Sequence, residues 1–260
     1  MKEPDKRHSG WKNALLSLLF PSVCPLCGER AGAGGLCPDC RRKYAEETFL
    51  RCPVCGLDAG RCACGSGFAE DLPFAADGRR FLALTWYVPR NRGGGERVTD
   101  AMILKLKDSG AFADFFAGEM AREIRRLLAR CGEDPGGWVV SYCPRSPEKF
   151  MKTGFDQGEE LARRLAEELG CGMRRMFVRA ESSAQQKSLG PEERKKNAGE
   201  SLILKRSAAE PGMKVILADD IITTGSTMRA AAELLYGAGA EAVFPCAIAR
   251  TLHGEDTEST

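Results

Sequence analysis

Histidine is almost missing from this chain of 260 residues: there are two, His8 and His253, both near the ends. A hydrolase built on a histidine base is therefore disfavoured. Aromatic residues make up 7%. The cysteine-rich first part offers only Tyr44, Phe49 and Phe68 as surfaces on which bases of a single strand could stack. Charge of one sign is also lacking, because 38 Lys and Arg face 36 Asp and Glu for a net +2. Any basic surface must then be local. No apolar run is long enough for a bilayer. The run at 14–20 is followed by Pro21 and a Cys-x-x-Cys, not by a small-x-small cleavage site. It reads as an amphipathic helix of a cytoplasmic protein. Two common phosphate-binding signatures are absent: there is no Gly-x-x-x-x-Gly-Lys-Ser/Thr loop, and no Gly-x-Gly-x-x-Gly opens a helix after a strand.

Cysteine is abundant, with 12 in all, and eight of them lie between Cys24 and Cys64. They form two sets, Cys24-x2-Cys27 with Cys37-x2-Cys40, and Cys52-x2-Cys55 with Cys62-x-Cys64. A Cys-x-x-Cys turn points two sulfurs at one metal, and four thiolates close a tetrahedral zinc site. Reducing conditions favour zinc over disulfides here. The second set is one residue short of the usual spacing, so ligands could also interleave between the sets. Such zincs fold a module and do no chemistry of their own. Arg41, Arg42, Lys43 and Arg51 make this module locally basic, which permits nucleic acid without requiring it.

Composition shifts near residues 66–78, and an α/β pattern follows. Residues 81–88, 138–143, 202–204, 214–218 and 242–249 read as strands; residues 98–107, 112–128, 157–169 and 228–236 read as helices. Asp156 can cap the third of these helices with Glu159 in a box, and Leu161, Leu165 and Leu169 share one of its faces. Strands alternating with helices imply a mostly parallel sheet, whose ligands bind beyond the carboxyl ends of the strands. Residues 1–70 are expected to form the N-terminal helix and cysteine module, residues 78–251 the α/β domain, and residues 252–260 a tail.

Residues 215–227, VILADDIITTGST, concentrate the functional signal. The apolar stretch has no period-2 alternation, as in a strand covered on both faces. It delivers Asp219 and Asp220 to the sheet edge. Thr223, Thr224, Gly225, Ser226 and Thr227 then turn into a helix whose first amides are free donors in a positive field. Phosphate suits that turn. The carboxylates suit vicinal hydroxyls or a divalent cation. Together they describe a ribose 5-phosphate. Cations for a further anionic group come from Arg145, Lys149 and Lys152, and from the polar segment at 180–200 with Arg179, Lys187, Arg194, Lys195 and Lys196.

The thirteen-residue order resembles the phosphoribosyl pyrophosphate (PRPP) signature of type I phosphoribosyltransferases. The resemblance implies that Asp219 and Asp220 act as the catalytic carboxylates on the ribose hydroxyls, with magnesium beside them, and that residues 223–227 hold the 5-phosphate. With a double zinc ribbon ahead of it, the chain resembles the ComF (ComFC) family of DNA uptake and natural transformation. "LLSLLFPSVCPLCG" resembles that family's opening. "ILKLKDSG" resembles its Leu-Lys-Tyr-x-Gly segment, with Lys105 as a candidate for the Lys. "TGFDQGEELARRLAEELG" resembles its Arg-Gly-Phe-Asn-Gln helix start, and "VRAESSAQQKSLGPEERKKNAGESL" its Arg…Gln…Arg-x-x-Asn loop, at Arg179, Gln186, Arg194 and Asn197. Two departures stand out. The family's Pro-x-Pro is Cys143-Pro144-Arg145, and its Arg-Gly-Phe-Asn is Thr153-Gly154-Phe155-Asp156, which loses a cation and gains an acid. The implied fold is α/β of the type I phosphoribosyltransferase kind, Rossmann-like, behind a small zinc-ribbon module. The implied functions are PRPP-dependent transfer to an acceptor, a non-catalytic PRPP sensor engaging single-stranded DNA or DNA-uptake proteins, or a nucleotide-salvage enzyme.

Overall fold

The computed structural model describes residues 23–32, 35–48, 52, 56–59, 61–62, 81–88, 97–179, 202–206 and 208–252. The expected helix at 14–20, Cys55, Cys64, the whole polar segment at 180–200 and the tail from 253 lie outside them.

The elements in chain order are α1 (Pro38–Thr48), β1 (Leu82–Tyr87), α2 (Val98–Ser109), α3 (Ala113–Arg130), β2 (Trp138–Tyr142), α4 (Pro147–Thr153), α5 (Gln157–Leu169), β3 (Gly172–Met173), β4 (Phe177–Arg179), β5 (Leu202–Leu204), β6 (Lys214–Ile222), α6 (Ser226–Gly237) and β7 (Ala242–Thr251). Five strands form one sheet in the order β1-β7-β6-β2-β3. Every pairing in it is parallel. β4 and β5 pair antiparallel as a separate ribbon.

The missing alternation in residues 215–218 is explained by burial on both faces. Ile216 and Ala218 enter a core shared with Phe116, Leu127, Leu161 and Leu165 of α3 and α5. Val215 and Leu217 enter a second core with Met228, Ala231 and Leu235 of α6. Burying each Leu, Ile or Val side chain contributes about 1.5–3 kcal/mol. The cysteine module touches both layers, since Cys24, Cys37 and Cys40 join the first core and Cys52 and Cys62 the second. Buried Arg250 lies over the rings of Phe81 and Trp86 and donates to the Cys62 carbonyl oxygen.

Beyond the short strands β3 and β4, which the sequence pattern does not announce, three elements differ from the expectation. α1 falls in a region read as poor in helical periodicity. Its buried residues are only Cys40 and Tyr44. Two of its turns are held instead by Asp39, Arg42, Lys43 and Glu46 in (i, i+3) and (i, i+4) pairs. That pairing also neutralises much of the basic run at residues 41–43. α4 replaces part of an expected loop, entered through Pro147 at its first position. β6 runs on to Ile222, because its ladder with β7 continues through Asp219↔Ala247 to Ile222↔Arg250 after β2 has ended at Ala218↔Tyr142.

The chain after β2 moves outward to β3, then returns to β6 and steps the other way to β7. The crevice between the carboxyl ends of β2 and β6 is therefore the topological switch point. α5 starts at that crevice and must approach it closely. A Cβ on Gly158 would stand 3.2 Å from Asp156 Oδ1 and 3.3 Å from both the Cys143 carbonyl oxygen and Tyr142 Cδ2. Gly158→Ala is expected to cost about 1–2 kcal/mol, since backbone must shift, even though Ala is the better helix former. Chemical denaturation checks this; an unchanged midpoint would show that α5 can retreat freely.

Candidate functional site

A cleft of 610 Å³ opens at the switch point, lined by Tyr87, Lys107, Cys143, Pro144, Arg145, Ser146, Lys149, Gln157, Arg179, Asp219, Asp220, Ile221, Thr223 and Thr227. Seven expected residues thus share one wall or another of it: Arg145, Lys149, Arg179, Asp219, Asp220 and the Thr223/Thr227 pair of the turn. Gly225, Ser226 and Thr227 line a smaller neighbouring cavity with Asp219 and Met228. Thr224 meets Ser226, hydroxyl to hydroxyl, at 3.2 Å.

Neighbouring residues of a strand point to opposite faces. Asp220 accordingly meets the α2/α5 side: its Oδ2 accepts from Gln157 Nε2 at 2.9 Å and lies 3.6 Å from Lys107 Nζ. Asp219 lines the cavity at the start of α6. Each carboxylate is partly fixed by backbone, with the Asp220 amide donating to Asp219 Oδ1 at 2.8 Å and the Ile221 amide to Asp220 Oδ1 at 2.6 Å. Burial, and next the Asp220 charge, push the Asp219 carboxyl up from the ordinary aspartate range.

The turn ends at Gly225, whose φ of 77° is the left-handed region that glycine enters without steric cost. Among the described residues no side chain caps α6. Its first amides are left for a ligand, and the helix dipole favours an anion there. Arg179, at the end of β4, donates from Nε to the Pro144 carbonyl oxygen at 2.7 Å and reaches Thr227 Oγ1 at 3.5 Å. It ties the β2 end to the α6 turn.

The two departures at 143–145 and 153–156 touch in space. Arg145 NH1 donates to Thr153 Oγ1 at 2.9 Å. A guanidinium from one departure therefore reaches the threonine of the other. The acid gained at Asp156 is taken up by backbone donors: Arg145 N at 2.7 Å, Gly158 N at 2.9 Å and Glu159 N at 3.4 Å. Asp156 thus caps α5 as expected, while Glu159 binds the Tyr142 hydroxyl and Arg175 in place of closing the box. Cys143 is buried, and desolvation first, then Asp219, raises its thiol well above the usual range. That favours a packing role over a nucleophilic one.

One residue needs correction. Lys105 is exposed and lies outside the cleft, whereas Lys107 lines it. Two residues on a helix differ by roughly 200° around its axis, so only one of the two lysines can face Asp220. Gln157 carries no role in the sequence pattern, yet among the described residues its amide donates to Asp220 Oδ2 at 2.9 Å. Its place at the first turn of α5, next to the Asp156 cap, was the available signal. Arg194, Gln186, Lys187 and Asn197 lie outside the described residues.

The first cysteine set is assembled. The ligand atoms of Cys24, Cys27, Cys37 and Cys40 all lie within 4.8 Å of one another. The Sγ atoms of Cys27 and Cys37 are 3.5 Å apart, and those of Cys40 and Cys27 are 3.7 Å apart. A tetrahedron with Zn–S bonds of about 2.3 Å has edges of about 3.8 Å, so the donor set fits zinc. Burial raises the Cys24 thiol, yet backbone amides of Cys37, Cys27 and Leu26 outweigh it and bring the thiol down to about 6, while burial and the neighbouring sulfurs push Cys40 up, so without a metal the charge sits on one sulfur of the four. Of the second set, Cys52 and Cys62 are buried. Among the described residues no helix is long and apolar enough to cross a membrane.

Comparison with known proteins follows the same division. A phosphoribosyl transferase domain model matches residues 117–259, and a double zinc ribbon domain model matches residues 15–72. The DNA utilization protein YhgH of Salmonella typhi is 27% identical over 242 residues, covering 90% of this chain and 100% of that protein. Its counterpart in Escherichia coli (strain K12) is 28% identical over the same shares. An adenine phosphoribosyltransferase of Rhodospirillum rubrum is 30% identical over 134 residues, 48% of this chain and 74% of that protein.

Proposed function

The chain belongs to the phosphoribosyl transferase domain family, with a double zinc ribbon ahead of that domain as in ComF proteins, and from this we propose that its cleft binds PRPP together with magnesium. The observation that carries the reading is the pairing of Asp219 and Asp220 with the uncapped start of α6. One supplies acceptors for vicinal hydroxyls, the other donors for a 5-phosphate, at one strand end.

Pyrophosphate leaving C1 of the sugar would build positive charge on the ring and negative charge on the leaving group. Stabilising those charges is the main task, and it needs no histidine. Arg145, Lys149 and Arg179 supply cations on the β2 side of the cleft. Hard oxygen ligands suit magnesium, and the two carboxylates are the residues that would face it beside the diol. Magnesium would neutralise charge on the leaving pyrophosphate. Arg145 gains reach from Thr153, so the site keeps a cation despite its altered loop. Enzymatic transfer to an acceptor is the leading form of the reading. The relatives named for DNA utilization support a cellular role in handling DNA.

The test is calorimetric titration of PRPP with magnesium into zinc-loaded protein, beside ribose 5-phosphate alone. Saturable binding that weakens without magnesium supports the reading. No heat from a folded protein sinks it. The same titration carries a pH signature. Asp219 is pushed up in the free protein, and a nearby cation favours its ionised form, so binding is expected to release protons and to strengthen as pH rises from 6 to 8. Binding heats should then differ between Tris and PIPES buffers at the same pH, which ionise with different heats and do not compete for a phosphate site. Equal heats would mean that Asp219 is already ionised before the ligand arrives.

A further inference from the structure

α2 carries its cleft residue at one end and is held from outside at the other. Its N-cap position, Arg97, is extended and provides no side-chain cap. The cap comes from a different domain. Glu47, in the last turn of α1, accepts from the Val98 amide at 2.7 Å through Oε1 and from the Thr99 amide at 2.8 Å through Oε2, which also accepts the Thr99 hydroxyl at 2.5 Å. These donors are 51 and 52 residues away in sequence. A carboxylate at a helix start satisfies orphan amides and meets the positive end of the helix dipole. The Glu47 side chain is only 15% exposed, and Arg97 Nε stands 3.9 Å from it. It has few other places to go.

α1 is itself set by the metal ligands. Cys37 precedes it and Cys40 lies in its first turn. Its path is then fixed by Tyr44, packed edge-on to Phe115 at 4.9 Å between ring centres. Near the far end of α2, about 14 Å along at 1.5 Å per residue, Lys107 reaches Asp220 at 3.6 Å and lies over the Tyr87 ring at 5.9 Å. The Lys107 carbonyl oxygen also accepts from Arg145 NH1 at 3.3 Å. One rigid helix therefore links the cysteine module to the acidic pair.

We infer that Glu47 is a positioning residue: through it the metal-loaded cysteine module caps α2 and sets Lys107 against Asp220. The module then acts on the cleft and is more than a folding aid for residues far from it. Loss of metal from Cys24, Cys27, Cys37 and Cys40 would release α1, uncap α2 and let Lys107 leave the acids. The ligand consequence rests on the ribose-phosphate reading above; the position of Lys107 does not.

The test uses full-length, zinc-loaded protein and the rate at which an amine-labelling reagent modifies each lysine, read by mass spectrometry. In the wild type, half-buried Lys107 should label slowly and exposed Lys105 fast. Glu47→Ala should speed Lys107 roughly tenfold and leave Lys105 and Lys214 unchanged, with zinc content intact. Glu47→Gln keeps one acceptor oxygen and should fall between. The module stays attached in both variants through Tyr44 on Phe115 and Arg250 on Cys62, so folding is expected to survive. Removing zinc by chelation should reproduce the Lys107 change. PRPP with magnesium should bind Glu47→Ala roughly tenfold more weakly, and Glu47→Ala should add little to Lys107→Ala. An unchanged Lys107 rate in Glu47→Ala overturns the inference, as do fully additive effects on binding. Failure of the wild type to bind PRPP sinks the ribose-phosphate reading alone, and the labelling rates still decide the role of Glu47.

Discussion

Replacing both carboxylates, as Asp219→Asn/Asp220→Asn, is expected to abolish PRPP binding while leaving the protein folded and at least as heat-stable as before. Two charge-assisted hydrogen-bond sites at about 1.5–3 kcal/mol each amount to roughly 3–6 kcal/mol, a loss of more than about a hundredfold in affinity. The stability half of the expectation follows from linkage. Asp219 is raised in the folded state, so the folded protein favours its protonated form. Its contribution to stability is present below the unfolded aspartate range and is lost as pH rises through the higher folded value. At pH 7–8 the charged Asp219 is therefore a strain that the fold carries for function. Asparagine removes that cost, and its oxygen can still accept from the Asp220 and Ile221 amides that now hold the acids. Calorimetric titration and a melting curve at pH 6 and pH 8 check both halves. A variant that binds as well as the wild type would remove the acids from the ligand site. A variant that melts far below it would show that the carboxylates hold the strand end together.

The second large effect concerns the cysteine module. Cys37→Ser is expected to release one zinc and to lower the main melting transition by roughly 10 °C, as loosened Leu36 and Tyr44 each forfeit about 2–3 kcal/mol of burial. Both side chains are in the core that includes Phe116 and Leu128 of α3. The change should be felt beyond the module for that reason. Exposed Cys131 is outside the cluster and serves as the control, since Cys131→Ser should leave metal content and melting unchanged. Zinc measured by a chromogenic chelator, together with scanning calorimetry, decides the matter. Equal zinc content in Cys37→Ser would mean that ligands are drawn from both cysteine sets.

Much of the strand and helix order was legible because it depends on local chemistry. Leu161, Leu165 and Leu169 recur at the helical period, Asp156 is a capping residue, and residues 215–218 are apolar on both faces. α1 was not legible. Charge pairs and metal ligands hold it, and neither leaves an apolar stripe. The length of β6 was not legible either, because the acids at its end read as a strand terminus until β7 is seen to continue pairing beside them.

The sequence by itself determined which strand end carries the carboxylates, the turn that follows, and the spacing of the first four cysteines. Each of these lies within a short stretch, where backbone geometry and residue type suffice. Only the tertiary structure decided what stands opposite them. Gln157 comes from 63 residues away to reach Asp220, Lys107 replaces Lys105 because helix rotation turns one of them to the cleft, and Glu47 caps a helix across 51 residues. Arg145 meets Thr153 across eight residues, so two departures that look separate in the sequence are in contact in the fold. Such partners are chosen by packing of distant elements. No pattern along the chain encodes the distance between them, so only the folded molecule brings them together.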